Sequence, residues 1–259
     1  IAMLPSDTFN SLSPALRAAL KEAQLAERAV ADGVRALTLY GFRTLTPQNA
    51  KYLTAAQIAT IPSSYEMSRI PAEVRAAFSA RQVQGLDTAR VSIGYLTAEQ
   101  REELTTAQIQ GLGTFYDLRY LPASRVAEVT TSLIAAIPRS YEMGRIPEAS
   151  RAAFTAEQLP AINTTKVSIG YLTSEQVEQL TTAQIQGLAT SYEIRHVSAT
   201  RIGEVRTALI AKLPSSYSFN QITTDRVQSF TREQVLVIPA SYYDQVKSRL
   251  TPEQLAWRP

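Results

Sequence analysis

The nine residues LTTAQIQGL occur twice in this chain, at Leu104–Leu112 and at Leu180–Leu188. Thr105 can begin a helix by accepting a hydrogen bond from a backbone N–H, and Gln108, three residues later, can reach back to Thr105. The apolar residues of the stretch lie at steps of five and three, which places them on one side of a helix. The stretch therefore predicts a capped helix of barely two turns, which needs neighbouring elements to stabilise it.

The stretch belongs to a longer internal repeat. Shifting the chain by 76 positions aligns residues 61–136 with residues 137–212 at 46 identities, and a third, more diverged copy begins at residue 213. Apolar anchors recur every 25 or 26 residues, so each block contains three smaller units. Similarity at a fixed period is typical of proteins in which each unit packs against its neighbours. We predict about eight such units over residues 34–256.

Each unit contains two helix-forming stretches followed by a segment of different character. The first two have the Thr-capped pattern, as in LTAEQREEL at Leu96–Leu104 and FTREQVLVI at Phe230–Ile238. The third alternates apolar and polar residues, as in SYEMSRI and FYDLRYL, and a period of two favours a short β-strand. We predict that these strands stack into a parallel ribbon, which gives a helix-rich α/β solenoid similar to leucine-rich repeats. If the segments are not strands, the alternative is an all-α solenoid of short helices.

The two ends of the chain differ from the repeats. Residues 14–31 predict one amphipathic helix, and we assign residues 1–33 to an N-terminal cap that covers the first repeat. Residues 257–259 closely follow a new helix start, TPEQL at Thr251. We interpret the chain as a fragment of something longer.

Composition argues against several chemistries. The chain has no Cys and a single His, His196, so it forms no disulfide and no multi-histidine metal site, and we expect no metal or cofactor. The formal charge of +3, from 26 basic and 23 acidic residues, gives no strong field for nucleic acid or an anionic membrane. No apolar run approaches the roughly 18 residues of a transmembrane helix. No nucleophile–base set or phosphate-binding glycine loop is recognisable, and we therefore expect that the chain is not an enzyme.

The stretches LTTAQIQGL, LTAAQIATI, FTAEQLPAI and FTREQVLVI resemble the L-T-x-x-Q-[IV]-x-x-L repeats of very large bacterial adhesion and surface-associated proteins. The resemblance covers the helical two-thirds of each unit. It implies a non-catalytic scaffold, secreted or at the cell surface, that binds a protein or a surface carbohydrate. No catalytic residue carries over.

Two alternative functions remain open. One is a bacterial effector that acts inside a host cell and binds a host protein through its repeat face. The other is nucleic-acid binding, because FTREQVLVI and LTPEQL also resemble the first helix of the DNA-reading repeats of transcription-activator-like effectors. The Gly-containing base-reading loop of those repeats does not recur here, and columns of Lys that would follow phosphates are missing.

The alternating segments carry the candidate binding residues. On a strand, their acidic column would face solvent, and the Tyr and Met positions on either side of it would face the core. A stripe of Tyr that binds carbohydrate or protein is the alternative to core packing. His196 belongs to a variable column of large polar residues, which is typical of a surface. We assign to this exposed column Glu66, Asp117, Arg119, Glu142, Glu193, Arg195, Tyr95, Tyr120, Tyr171 and His196.

Arginines recur at two positions of the first helical stretch. These are Arg125, Arg201 and Arg226 at one position, and Arg75, Arg101 and Arg151 at the other. Because apolar residues interrupt the columns, we expect exposed side chains whose stems cover apolar surface and whose guanidinium groups pair with Glu. A basic stripe for an acidic partner is the alternative.

Overall fold

The computed structural model describes residues 30–258, and none of these residues lies in a β-strand. The predicted α/β solenoid is therefore wrong, and the all-α alternative is the one compatible with the structure. Most of the capping helix predicted at residues 14–31 lies outside the described range, of which residues 30–35 are helical.

The chain divides into two compact units, one up to Pro122 and one from Ala123. In each unit, a repeat consists of three short helices, which we call its first, second and third helix. Helices at the same position of successive repeats pack on one another, and some second helices also pack on the first helix of the next repeat. In the first unit, for example, Pro47–Ala50 packs on Ala72–Ala76, and Ala55–Ala59 packs on Ala80–Val83.

The first helices of the repeats include the Thr- and Pro-initiated segments. They are Pro47–Ala50, Ala72–Ala76 and Ala98–Glu102 in the first unit, and Ala123–Glu128, Glu148–Ala152, Ser174–Glu178, Ile202–Glu204, Thr224–Gln228 and Pro252–Trp257 in the second. The second helices are Ala55–Ala59, Ala80–Val83 and Thr106–Gln110, and then Thr131–Ala135, Leu159–Ala161, Thr182–Gln186, Thr207–Ile210 and Arg232–Leu236.

The third helices are the segments predicted to be strands. They are Leu39–Thr44, Ser64–Ser68, Ile93–Tyr95 and Phe115–Arg119 in the first unit, and Ser140–Gly144, Ile169–Tyr171, Ser191–His196, Ser216–Asn220 and Ala240–Val246, with Lys247–Arg249 following, in the second. Several are single turns of 3₁₀-helix, a form that occurs in short pieces.

The capping pattern read from the sequence is confirmed. Gln108 N donates to Thr105 Oγ1 at 3.2 Å, and Thr105 N donates to Gln108 Oε1 at 2.9 Å. The same capping box begins the helices that follow Thr54, Ser79, Thr97, Thr173, Thr181, Thr231 and Thr251. Each box satisfies backbone donors that a helix start otherwise leaves open.

The third segments are helical for two reasons, which the alternation of apolar and polar residues does not show. Their buried residues are three apart, as Met67 and Ile70 are, which is a helical spacing. Ser63 also caps the segment, because its hydroxyl accepts from Glu66 N at 3.4 Å. Ser63-x-x-Glu66 is the same start signal as Thr105-x-x-Gln108.

Buried glutamines join successive repeats. Gln108 Nε2 donates to Val83 O at 2.9 Å and to Leu86 O at 2.8 Å, both in the preceding repeat. One amide therefore begins its own helix and satisfies carbonyl groups at the end of the previous one. The same double role belongs to Gln82, Gln100, Gln158, Gln176, Gln184, Gln234 and Gln254.

Candidate binding surface on the third helices

The acidic column of the third helices points into the protein. Asp117, Glu142 and Glu193 are buried, and Glu66 is partly buried. The prediction of an exposed acidic column is therefore wrong. On one turn of helix, the residue that precedes the buried apolar anchor turns inward beside it, whereas on a strand it would point to the opposite face.

Two of the buried acids, Asp117 and Glu193, link their third helix to the preceding one. Asp117 Oδ1 accepts from Ser92 Oγ and, at 3.1 Å, from Ile93 N. In the second unit, Glu193 Oε2 accepts from Ser168 Oγ at 2.8 Å and from Ile169 N at 3.0 Å. These carboxylates thus act as caps for the 3₁₀-helix one repeat earlier.

The other two acids of the column pair with arginine. Glu66 Oε2 accepts from Arg43 Nη2 at 2.6 Å, which joins the third helices of two repeats. Glu142 Oε1 lies 3.9 Å from Arg139 Nη2 in the residue just before its own helix. Through these ion pairs and the capping contacts above, the acids of the column bind partners within the fold.

The two carboxylate oxygens of Asp117 differ in their hydrogen bonding. Its Oδ2 is buried and has no hydrogen-bond partner among the described residues. Burial raises the pKa of Asp117 above its ordinary value, against the opposing effect of the hydrogen bonds from Ser92 and Ile93.

The tyrosines next to the acids are exposed, so the core-packing prediction for them is wrong. Exposed fractions are 62% for Tyr65, 46% for Tyr116, 61% for Tyr141 and 54% for Tyr192. Val91 shared their aligned column but is fully buried. It precedes the N-cap of a 3₁₀-helix that starts later because of the extra residue in that repeat. For Tyr65, the Ser63-x-x-Glu66 capping signal is the sequence feature that would have placed the ring outside.

Arginine side chains accompany the exposed tyrosines. In the first unit, the Arg69 guanidinium lies 5.3 Å from the Tyr65 ring centre, and that of Arg119 lies 5.0 Å from Tyr116. In the second unit, Arg145 lies 5.5 Å from the Tyr141 ring centre and donates to its hydroxyl at 3.1 Å. We define the Tyr–Arg face as Tyr65, Arg69, Tyr116 and Arg119 in the first unit, and Arg139, Tyr141, Arg145, Tyr192 and Arg195 in the second.

The remaining predicted residues form a row beside this face, in which Tyr95, Tyr171 and His196 are partly buried and Tyr120 is 38% exposed. The rings of Tyr120, Tyr171 and His196 lie against Gly94, Gly144 and Gly170 of the preceding third helix. A methyl group at Gly94 would come within 2.6 Å of the Tyr120 ring. Arginines of the first helices cover the tyrosines of the row, as Arg75 does at 5.0 Å from the Tyr95 ring centre. Tyr95, Tyr120, Tyr171 and His196 thus serve mainly to join repeats.

His196 shows no catalytic arrangement. Its Nε2 accepts from Arg195 Nε at 3.0 Å. Burial, followed by the charge of Arg195, lowers the pKa of His196 below its ordinary value. The imidazole is therefore neutral at physiological pH.

The first-helix arginines divide by position. The expected pairing with Glu is confirmed for Arg125 with Glu128 and for Arg201 with Glu204, the latter at 2.8 Å. Arg201 also donates to Leu180 O at 2.6 Å, which is the role that glutamine has in other repeats. Arg75, Arg101 and Arg151 instead donate to backbone carbonyl groups, as Arg75 does to Ile70 O at 3.1 Å.

No group of three His, Asp or Glu side chains within residues 30–258 could hold a metal ion. No helix in this range is long and apolar enough to cross a membrane. Comparisons of the chain with protein-family models, curated proteins and solved structures gave no match.

Proposed function

We propose that this chain is a non-catalytic repeat scaffold that binds an acidic segment of a partner protein on the Tyr–Arg face. We place it in a secreted or cell-surface protein, as the resemblance of its helical repeats to bacterial surface proteins implies. The proposed function adds a particular surface and a particular partner chemistry to the interaction scaffold expected from the sequence.

The observation that carries the proposal is the sorting of side chains on the third helices. Asp117, Glu142 and Glu193 point inward, whereas the tyrosines and arginines beside them point to solvent. The outer surface of these three helices is therefore aromatic and cationic although the chain as a whole is close to neutral. Tyr and Arg are the residues most enriched at the centres of protein interfaces.

The geometry of the pairs suits carboxylate ligands. A guanidinium held over a ring is fixed in position and keeps N–H donors in a planar fork, which matches a carboxylate. Tyr contributes a large contact area at a small cost in side-chain entropy. The phosphate backbone of a nucleic acid fits this surface less well, because electrostatic attraction of nucleic acid needs a larger net positive charge than +3.

The test is fluorescence anisotropy with a labelled poly-glutamate peptide and the full chain. Arg69→Ala combined with Arg145→Ala should weaken binding by at least about tenfold, which corresponds to about 1.4 kcal/mol. The matched control is Arg81→Ala with Arg232→Ala, which removes the same charge from exposed positions on second helices. We expect the control to bind within about twofold of the parent chain.

Three outcomes would contradict the proposal. One is a parent chain that does not bind the peptide. The second is an equal loss of affinity in both double variants, which would mean that only net charge matters. The third is tighter binding of a labelled single-stranded oligonucleotide than of the peptide, which would favour a nucleic-acid ligand.

A further inference from the structure

One repeat breaks the most regular polar position of the chain. The residue that precedes each second helix, or the turn that leads into it, is a hydroxyl residue in the other described repeats: Thr54, Ser79, Thr105, Thr130, Thr155, Thr181 and Thr231. In the repeat of Thr207–Ile210 it is Arg206, whose side chain makes no capping hydrogen bond. Loss of a cap costs about 1 kcal/mol. A position that departs from a local rule at such a cost is a candidate for function.

Two further differences accompany Arg206. The block 137–212 is 46 of 76 residues identical to the block 61–136, so each position has a direct counterpart. Arg206 corresponds to Thr130, Lys212 to Ala136 and Ser191 to Phe115. The second helix of this repeat is thus flanked by two more positive charges than its counterpart, and the third helix of the preceding repeat has a small hydroxyl residue where its counterpart has a phenylalanine.

These residues line one pocket in the second unit. Its volume is about 360 Å³, and its walls include Thr190, Ser191, Tyr192, Arg206 and Lys212. That volume is at the lower end of the range for small-ligand sites. The replacement of an aromatic residue by Ser191 leaves room where its counterpart has a ring.

The two cations are not neutralised inside the fold. Neither Arg206 nor Lys212 forms an ion pair with a carboxylate among residues 30–258. Arg206 donates one hydrogen bond, from Nη2 to Leu188 O at 3.4 Å. Tyr192 belongs both to this pocket and to the Tyr–Arg face.

We infer that this pocket binds a side-chain carboxylate of the acidic partner segment, an inference that rests on the proposed function. The guanidinium of Arg206 and the ammonium of Lys212 provide the charge, and the hydroxyl groups of Thr190 and Tyr192 provide further donors. Because Tyr192 is shared, a segment bound along the face in this unit can place one carboxylate in the pocket. The pocket between these two repeats thus gives them a specificity that their counterparts lack.

The chain offers matched variants for the test. Arg206→Thr with Lys212→Ala installs the residues of the counterpart repeat, where Thr130 Oγ1 accepts from Leu133 N at 3.4 Å. The double variant should therefore fold at least as well as the parent chain. Arg81→Ala with Arg232→Ala again controls for the loss of two charges.

The first measurement is an amide NMR titration of the full chain with glutarate. We expect saturable shifts at Ser191 and Tyr192 in the parent chain and in the control, and at least tenfold weaker binding in Arg206→Thr/Lys212→Ala. Absent shifts, or equal shifts in both double variants, would overturn the inference. Tighter binding of inorganic phosphate than of glutarate would overturn the assignment to a carboxylate.

The second measurement separates this inference from the proposed function. In the poly-glutamate assay, Arg206→Thr/Lys212→Ala should weaken binding at least fivefold. If the peptide binds but this variant is unaffected, the pocket inference fails and the proposed function stands. If glutarate shifts the pocket amides but the peptide does not bind the chain, the proposed function fails, and with it the assignment to a partner carboxylate.

Discussion

The second and third helices of a repeat are linked to the preceding repeat by different kinds of side chain. Both are too short to be stable alone, and in several repeats both are joined to the preceding repeat by a buried polar residue. In the second helices, this residue is a neutral glutamine such as Gln108, which donates to carbonyl groups. In the third helices, it is an acid such as Asp117, which accepts from a serine and a backbone N–H.

This difference has consequences for the surface. Glutamine uses both its acceptor and its donors inside the stack and adds no charge. An acid such as Asp117 satisfies donors, but its negative charge is then buried, and the exposed charges beside the tyrosines of the Tyr–Arg face are basic. The second helices thus mainly hold the repeats together, whereas the third helices also present the Tyr–Arg face.

The strongest test of this contrast is removal of a linking glutamine. Gln108→Ala leaves the carbonyl groups of Val83 and Leu86 without their donor in a buried site, where each unsatisfied group costs about 1–3 kcal/mol. We expect the free energy of unfolding in urea to fall by about 2–4 kcal/mol. Gln110→Ala, at an exposed position of the same helix, should change it by less than about 0.5 kcal/mol. Equal effects would show that the buried amide does not link the repeats.

A second test compares two residues that the sequence aligned in one column. Val91→Ala removes a fully buried side chain and should cost about 1–3 kcal/mol. Tyr65→Ala removes a ring that is 62% exposed and should cost less than about 0.5 kcal/mol. The measurement is urea unfolding of both variants. A larger loss of stability for Tyr65→Ala than for Val91→Ala would mean that the tyrosines pack in the core. The Tyr–Arg face would then have no basis.

The smallest expected effect concerns pH. Burial raises the pKa of Asp117, so the folded state holds a proton over a range in which the unfolded chain has lost it. Stability contributed by this group is therefore lost as pH rises from the ordinary carboxyl value through the raised value. Asp117→Asn removes the titration, and the stability of the parent chain relative to this variant should be higher at pH 4 than at pH 7.

Glu73→Gln, which removes an exposed carboxylate, controls for the change of net charge in that comparison. Urea unfolding of the three proteins at both pH values provides the measurement. A relative stability that rises with pH would mean that the charged form of Asp117 is favoured in the fold.

Much of the repeat could be read from residues alone, and the failures have a common cause. Thr105 and Gln108 were recognisable as a cap because their partners lie three residues apart in the same helix. The strand prediction places Tyr65 and Glu66 on the wrong faces, because a period of two over a few residues fits both a strand and a single helical turn. Ser63, the cap of that segment, carried the signal that decides between them.

The sequence by itself determined the period of the repeat, the starts of its helices and the apolar residues that pack between them, since all of these depend on contacts within a few residues. Only the tertiary structure decided what the polar groups do. The carbonyl groups that Gln108 reaches and the N–H that Asp117 caps belong to the preceding repeat, and their positions follow from how the helices stack. Likewise, Arg206 and Lys212 are ordinary exposed cations until the fold brings them to the same pocket.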